Sequence, residues 1–259
     1  MNNGEKFDPL AYLHTRLGNN MRSKERVLFP LRRLHEEFAS LPGSLKILEY
    51  GTGPVIMNII SAAPHASEIT LAEYNRGNRD VLHSWLEGTF HSFDWSPFFD
   101  HVVTDLEGKG AKEARAREAL VRSVVKRVVS CDFTAPRIIQ EGHEGPYDVV
   151  ISPSCIDCCA TLAQFRRNVE NVSTFVKPGG TLMLYLSERN MHRESGTYYI
   201  GSTPHTLVNI SASYVAEQLK NLGFSGVRSY SCPGDPEAMK KLQDEDMLGY
   251  MFLTGVKGT

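Results

Sequence analysis

Apolar positions along this chain follow two different periods, and the switch between them marks out the elements. From Lys24 to Leu41 they recur at helical spacing, with Val27, Leu28, Leu31, Leu34 and Phe38 on one face, and Pro42-Gly43 ends the run. Short continuous apolar runs then alternate with amphipathic stretches. The runs predict strands at Leu45–Tyr50, Glu68–Tyr74, Arg127–Cys131, Tyr147–Ser152, Thr181–Leu186, Val227–Tyr230 and Gly249–Val256. Between them the pattern predicts helices over Pro54–Ala63, Asn78–Gly88, Lys112–Val125, Leu162–Phe175 and Ser211–Leu222, the last capped by Ser211 and closed by Gly223. The Lys112 helix is expected to turn Ala114, Val121, Val124 and Val125 inward, with Glu113–Arg117 and Glu118–Arg122 pairs on its exposed side. Residues 89–110 and 187–210 read as irregular, the second with a hairpin around Tyr198–Gly201. Strands alternating with helices imply an α/β fold whose seven strands form a mainly parallel sheet, with helices on both faces. The N-terminal 44 residues stand outside it as a helical cap, in which Phe7, Pro9, Leu10, Tyr12 and Leu13 cluster; residues 45–259 make the main domain.

Bulk composition narrows the classes. A chain of 259 residues with 41% hydrophobic content can bury a substantial core. A net charge of −2 offers no basic field for nucleic acid or an anionic membrane. No apolar run approaches the ~18 residues that span a bilayer, and the polar start lacks a signal-peptide layout. Five cysteines without a regular framework fit reduced thiols in the cytoplasm. We therefore expect a cytoplasmic protein with neither nucleic-acid nor membrane partners; it is further expected to be a monomer, and the N-terminal cap favours a small-molecule substrate.

Chemistry concentrates where the first strand ends. Tyr50-Gly51-Thr52-Gly53-Pro54 is a glycine turn, and the next strand closes on an acid, Glu73, twenty residues past Gly53. Doubly wound folds hold adenosine-type cofactors with this unit: main-chain amides face the ligand and the acid takes the ribose hydroxyls. Ile56 stands where a dinucleotide-binding fold has its third glycine, which lets helix and strand close around a pyrophosphate. Its absence favours S-adenosylmethionine over a nicotinamide dinucleotide.

The order of motifs resembles the nicotinamide/phenylethanolamine/indolethylamine N-methyltransferase family. The resemblance rests on Phe93-Asp94-Trp95-Ser96-Pro97 running on to Asp105-Leu106-Glu107-Gly108. It is joined by the glycine turn, Glu73-Tyr74 with Asn78, Cys131-Asp132-Phe133, Cys155-Ile156-Asp157, Val176-Lys177-Pro178-Gly179-Gly180, and Phe7-Asp8-Pro9 before Tyr12-Leu13. It implies a Rossmann-like class I methyltransferase fold with an N-terminal cap, using S-adenosylmethionine for in-line methyl transfer to a small amine. It also implies cofactor contacts from Tyr12, Tyr50, Gly51, Gly53, Glu73, Tyr74, Asn78, Asp132 and Phe133. On the acceptor side it implies Tyr12, Ser154, Asp157, Tyr198, Tyr199 and Asp246, with Asp157 and Asp246 as the acids that face the amine. Each carries a plainer alternative: Asp132 a turn residue, Asp157 a helix N-cap, Tyr12 simple packing, and Asp246 part of a solvated loop with Asp244 and Glu245.

Departures from the family are concentrated on the acceptor side. Arg16 and Leu17 stand where the family has two aromatics, glutamate replaces the usual aspartate at Glu73, and Pro153-Ser154 replaces a contact pair. No acid closes the fifth strand, and Arg189–Gly196 reads as an insertion. Together these argue against nicotinamide as the preferred acceptor. Cys155-x-x-Cys158-Cys159 has no second ligand pair at zinc spacing, so no metal is expected. A binding protein of the same fold that has lost transfer is the alternative function.

Overall fold

Seven strands form one sheet in the order β3-β2-β1-β4-β5-β9-β8 in a computed structural model of the chain. The structure describes residues 7–18, 25–133, 135, 137–139, 142–143, 145–200, 203–235 and 246–259. The strands are β1 (Leu45–Tyr50), β2 (Ala66–Glu73), β3 (Val125–Ser130), β4 (Tyr147–Pro153), β5 (Val176–Arg189), β8 (Phe224–Pro233) and β9 (Met247–Lys257). Pairing is parallel from β3 through β5, and β9 runs antiparallel to both β5 and β8. A hairpin of β6 (Ser195–Ile200) and β7 (Thr203–Val208) stands apart as a second sheet. Strand order reverses at β1 and β4, the switch point where doubly wound folds bind ligands over the carboxyl ends.

Helices α2 (Glu25–Ala39), α3 (Arg76–Leu86), α4 (Ser96–Asp100) and α5 (Ala111–Val124) pack one face. The other face is covered by α6 (Leu162–Thr174) and α7 (Ala212–Asn221). Helix α1 (Pro9–Arg16) starts at Asp8, whose side chain accepts from the amides of Leu10 and Ala11. It brings Leu13, fully buried, into the same core as α2.

Four sequence expectations are corrected by packing. The helix expected over Pro54–Ala63 is replaced by 3-10 turns at Met57–Ile59 and Ala63–His65. Every residue from Val55 to Ala63 is buried, so the segment has no polar face on which to run a surface helix. The aromatic 89–110 segment is not irregular throughout: α4 leads directly into a π-helical stretch, His101–Leu106. The Glu107 carboxylate, just past this stretch, takes Arg117. Two 2.8 Å bonds join them in a bidentate pair, so Arg117 is buried rather than exposed beside Glu113. The Glu118–Arg122 pair forms as expected, at 2.6 Å. The 187–210 segment also takes regular structure: β5 continues to Arg189, and the β6–β7 pairing is longer than the sequence suggested, residues 201–202 lying outside the described residues.

One helix–strand tie follows from a proline. Pro30 sits inside α2 and has no N–H to give the carbonyl of Arg26, four residues back. The Tyr185 hydroxyl of β5 donates to that carbonyl instead, at 2.7 Å. The first turn of α2 is thereby pinned to the sheet edge where β5 ends.

Candidate active site

The strand ends gather most of the residues singled out from the sequence. After β1 the chain turns through Gly51 (φ +76°) and Gly53 (φ +65°), both in the left-handed region that favours glycine. A Cβ on Gly51 would collide with the Cβ and Sγ of Cys155, so its first requirement is set by the protein's own β4 loop. Gly53 is different: its missing Cβ faces open space. The Gly53 amide donates to Glu73 Oε2 at 2.8 Å, tying the turn to the end of β2.

Glu73 organises its surroundings further. Its Oε1 accepts from the Asn75 amide at 2.8 Å and from Asn78 Nδ2 at 2.9 Å. Asn75 in turn N-caps α3 through the Asn78 amide. Arg79 donates to the carbonyls of Glu73 and Tyr74. Two carboxylate oxygens offer about four acceptor positions, and three are taken. Asn78 Oδ1 is buried with no partner among the described residues, so a hydroxyl-bearing ligand meets one spare carboxylate lone pair and one unpaired amide oxygen. Tyr74, 56% exposed, stands beside them with a free ring face. These residues fit the ribose and adenine of S-adenosylmethionine. Asp132 leads the segment after β3, its amide held by the Ile138 carbonyl at 2.7 Å, and Phe133 follows with its ring on Tyr50. The Tyr50 ring itself is fully buried between Phe133 and Phe175, so a cofactor contact from this residue is limited to its main chain.

Glu49, which carried no expectation, lies fully buried one residue before the turn. Asn58 Nδ2 donates to its Oε1 at 2.8 Å, and Oε2 has no partner among the described residues. Burial pushes its carboxyl up to about 8, against the Asn58 bond and with help from the Glu73 charge. Only an acid ending an otherwise apolar run hinted at it.

Asp157 occupies the other side of the switch point. Thr161, not Asp157, caps α6, accepting from the Gln164 amide at 3.1 Å. The Asp157 carbonyl takes the amides of Cys159 and Val208, and its Oδ2 takes the Ser187 amide at 3.2 Å. Oδ1 is buried and unpartnered among the described residues. Burial lifts its carboxyl to about 6, moderated by the Ser187 amide and Arg189. Ser154 precedes it at φ +46°, its amide on the Tyr185 carbonyl at 2.6 Å, an unusual conformation for a residue other than glycine.

Tyr12 and Tyr198 approach from above. The Tyr12 hydroxyl lies in the fields of Arg26, Arg16, Cys158 and Glu73, between the cofactor side and the acceptor side; burial raises its pKa. The Tyr198 ring lies tilted against that of His205, with centres 5.2 Å apart, and the Arg16 guanidinium lies 5.5 Å from its ring centre. Its hydroxyl is bonded to the Cys158 thiol, and burial raises both groups. The Tyr199 side chain lies outside the described residues, as do Asp244 and Glu245.

Asp246 is not the solvated loop acid that its plainer alternative implied. Its carboxylate is fully buried, takes Arg193 Nε at 2.7 Å and Nη2 at 2.6 Å, and has Arg189 Nη2 at 3.8 Å and His192 Nε2 at 3.3 Å. Arg193 holds its pKa down against the effect of burial. The acid anchors the 189–196 segment through Oδ2, while its Oδ1 has no hydrogen-bond partner among the described residues. Arg189, fully buried, also donates to Asn209 Oδ1 at 2.7 Å, a connection between distant residues that spacing cannot reveal.

The parallel sheet with its antiparallel β9, the glycine turn and the acid closing β2 define a class I, Rossmann-like S-adenosylmethionine-dependent methyltransferase. The chain belongs to the NNMT/PNMT/TEMT family, whose model matches residues 2–254. It is 29% identical to phenylethanolamine N-methyltransferase of Homo sapiens over 239 residues, covering 88% of this chain and 82% of that one. Nicotinamide N-methyltransferase of Homo sapiens is 29% identical over 225 residues, covering 85% and 82%. In fold it is similar to the 1,6-didemethyltoxoflavin-N1-methyltransferase of Burkholderia thailandensis, with a TM-score of 0.53 and 13% identity, covering 100% of this chain and 94% of that one.

Proposed function

We propose that the protein transfers a methyl group from S-adenosylmethionine to the nitrogen of a small amine. The observation that carries this is Asp157: a buried carboxylate with one oxygen fixed and the other unpartnered, across the strand ends from the Glu73–Asn78–Gly53 set. When bound, S-adenosylmethionine supplies an electrophilic methyl group on a positively charged sulfur, and its departing thioether needs no acid. The protein's task is to present an unprotonated nitrogen in line with that methyl group.

Asp157 suits the work. Above pH 6 it is ionised, so Oδ1 can hold the N–H of an arriving amine while Oδ2 stays on the Ser187 amide. The proton lost by a cationic amine is taken at Oδ1 or passed from it to water. Tyr12 and Tyr198 close the space above and limit water access. The lid-like α1 suits a small acceptor better than a macromolecule. On this reading the enzyme works as a monomer in the cytoplasm, a setting that fits its five unpaired cysteines.

The test is methyl transfer from labelled S-adenosylmethionine across phenylethanolamines, tryptamines, pyridines and a thioether, with Asp157→Asn alongside. Transfer to an amine, reduced in the variant by ~10²-fold or more, is the expected result. Tight cosubstrate binding with no transfer to any acceptor would overturn the proposal.

A further inference from the structure

Arg189, at the end of β5, sets a fully buried guanidinium against two buried acids. Its Nη2 lies 3.8 Å from Asp246 Oδ2, and its charge also reaches Asp157. Its Nε donates to Asn209 Oδ1 at 2.7 Å. The backbone laces these pieces together. Asp157 Oδ2 accepts the amide of Ser187, two residues before Arg189 on the same strand. The Arg189 amide donates to the Ile210 carbonyl at 2.9 Å, and the Val208 amide, at the end of β7, donates to the Asp157 carbonyl at 3.1 Å. Gly196 of β6 leaves room for the guanidinium: a Cβ there would collide with Arg189 Nη2 and Asp246 Oδ2.

Burial favours the neutral form of a carboxyl, and a neutral carboxyl cannot anchor a cationic amine. Glu49 shows the effect in this same protein. It is fully buried with one oxygen unpartnered among the described residues, and burial, with the Glu73 charge nearby, pushes it up to about 8. Asp157 is as deeply buried and also has one unpartnered oxygen, yet it rises only to about 6. Burial raises it, the Ser187 amide and its own amide lower it, and Arg189 adds the opposing charge. The other titratable groups in its field are Cys155, Cys158 and Cys159 on its own loop and Tyr198 on the hairpin, and burial raises all four. These are neutral at pH 7, so among the described residues Arg189 is the cation that opposes the burial of Asp157.

We propose that Arg189 is a positioning residue for methyl transfer: its guanidinium keeps Asp157 ionised for the arriving amine, and Asp246 holds that guanidinium in place. This rests on the N-methyltransferase reading above and adds the group through which its acid stays charged. Arg189 itself acts only through Asp157. An arginine suits the task because it keeps its charge when buried, where a lysine loses it readily. Asp246 and Asn209 make its own burial tolerable.

The experiment measures kcat/KM from about pH 5 to 9 for one amine that the wild type methylates, in the wild type, Arg189→Gln, Arg189→Lys and Asp246→Asn. Using one acceptor throughout keeps the titration of the amine itself constant. The acid limb of the wild type is expected to move up by about one pH unit in Arg189→Gln and to fall between the two in Arg189→Lys. It should move down in Asp246→Asn, where the guanidinium loses the acid it is shared with. A smaller amount of folded enzyme scales a profile without moving its midpoint, so structural damage alone does not reproduce these shifts. Circular dichroism at each pH defines the range over which each variant is folded. If Arg189→Gln does not fold, the downward shift in Asp246→Asn decides. A limb at the wild-type position in the deciding variant would assign Arg189 to anchoring the 189–196 segment, overturning the inference and leaving N-methylation standing. A wild type that transfers methyl groups without any acid limb would do the same. Silence from every acceptor would remove the proposed function and this inference together.

Discussion

Glu73 Oε2 accepts the Gly53 amide at 2.8 Å, a bond across twenty residues that locks the glycine turn to the acid closing β2. The same carboxylate holds Asn75 and Asn78 through Oε1. Glu73→Ala therefore removes more than a ligand contact: it leaves three donors seeking partners and loosens both turn and α3. The expected result is a fall of ~100-fold in S-adenosylmethionine affinity and a stability loss of about 2–4 kcal/mol. Titration calorimetry and urea unfolding check both. A loss of affinity with unchanged stability would mean that the carboxylate serves the ligand alone.

Gly51 and Cys155 make contact where no Cβ can enter. Gly51→Ala is expected to destabilise by about 3 kcal/mol or more, from the steric collision together with ~1–2 kcal/mol for a left-handed conformation. Cys155→Gly clears the collision but not the backbone strain. The double variant should recover part of the loss, with a coupling of about 1–3 kcal/mol in a double-mutant cycle. Strict additivity would show that the two residues do not limit each other.

Asp246 is buried against Arg193 and Arg189. Asp246→Asn removes the buried charge that Arg193 and Arg189 face, and a loss of about 3–5 kcal/mol is expected on thermal unfolding. A raised acceptor KM at unchanged melting temperature would instead return Asp246 to the amine-facing role that its position in the sequence suggests.

How much of this was legible follows physical lines. Strands β1, β2, β4 and β5 are short apolar runs between turn signals, and they were readable because a strand buried on both faces needs nothing else. The glycine turn with its acid is a local arrangement of fixed spacing, so Gly51, Gly53 and Glu73 could be found together. The segment Val55–Ala63 could not be read correctly, since an all-apolar run carries no periodicity and leaves the core to decide its shape. The same limit applies to partners far apart in the chain. Asp246 with Arg193 spans 53 residues, and Tyr185 with Arg26 spans 159. Neither pairing leaves a mark in local pattern, so both emerged only in three dimensions.

Asp157 is expected to set the acid limb of activity. Its pKa of about 6 lies above the ordinary carboxyl value because burial disfavours the charge. An amine is anchored by the ionised form, so kcat/KM for an amine acceptor should rise as pH increases through about 6 and then level off. Asp157→Asn should lose that limb along with most of the rate. A profile unchanged between pH 5 and 7.5 in both proteins would exclude Asp157 from the chemistry.

Glu49 makes a prediction of opposite sense, on stability. Its carboxyl, at about 8 in the folded chain against an ordinary value of 4.5, is neutral in the fold at a pH where the unfolded chain is already ionised. The folded state then binds the extra proton, and stability falls as pH rises wherever that holds. The contribution is fully present below about 4.5 and is lost progressively as pH rises through 8. Over that range the carboxyl alone contributes on the order of 3–5 kcal/mol of decline. Glu49→Gln keeps the shape and leaves an amide oxygen for Asn58 Nδ2 while removing the titration. Unfolding free energies measured in urea at pH 5, 6.5 and 8 should therefore converge on one value for the variant once other groups are matched, and exceed the wild type at pH 8. Parallel wild-type and variant curves across that range would show that Glu49 is ionised in the fold throughout, with its unpartnered Oε2 supplied with a donor.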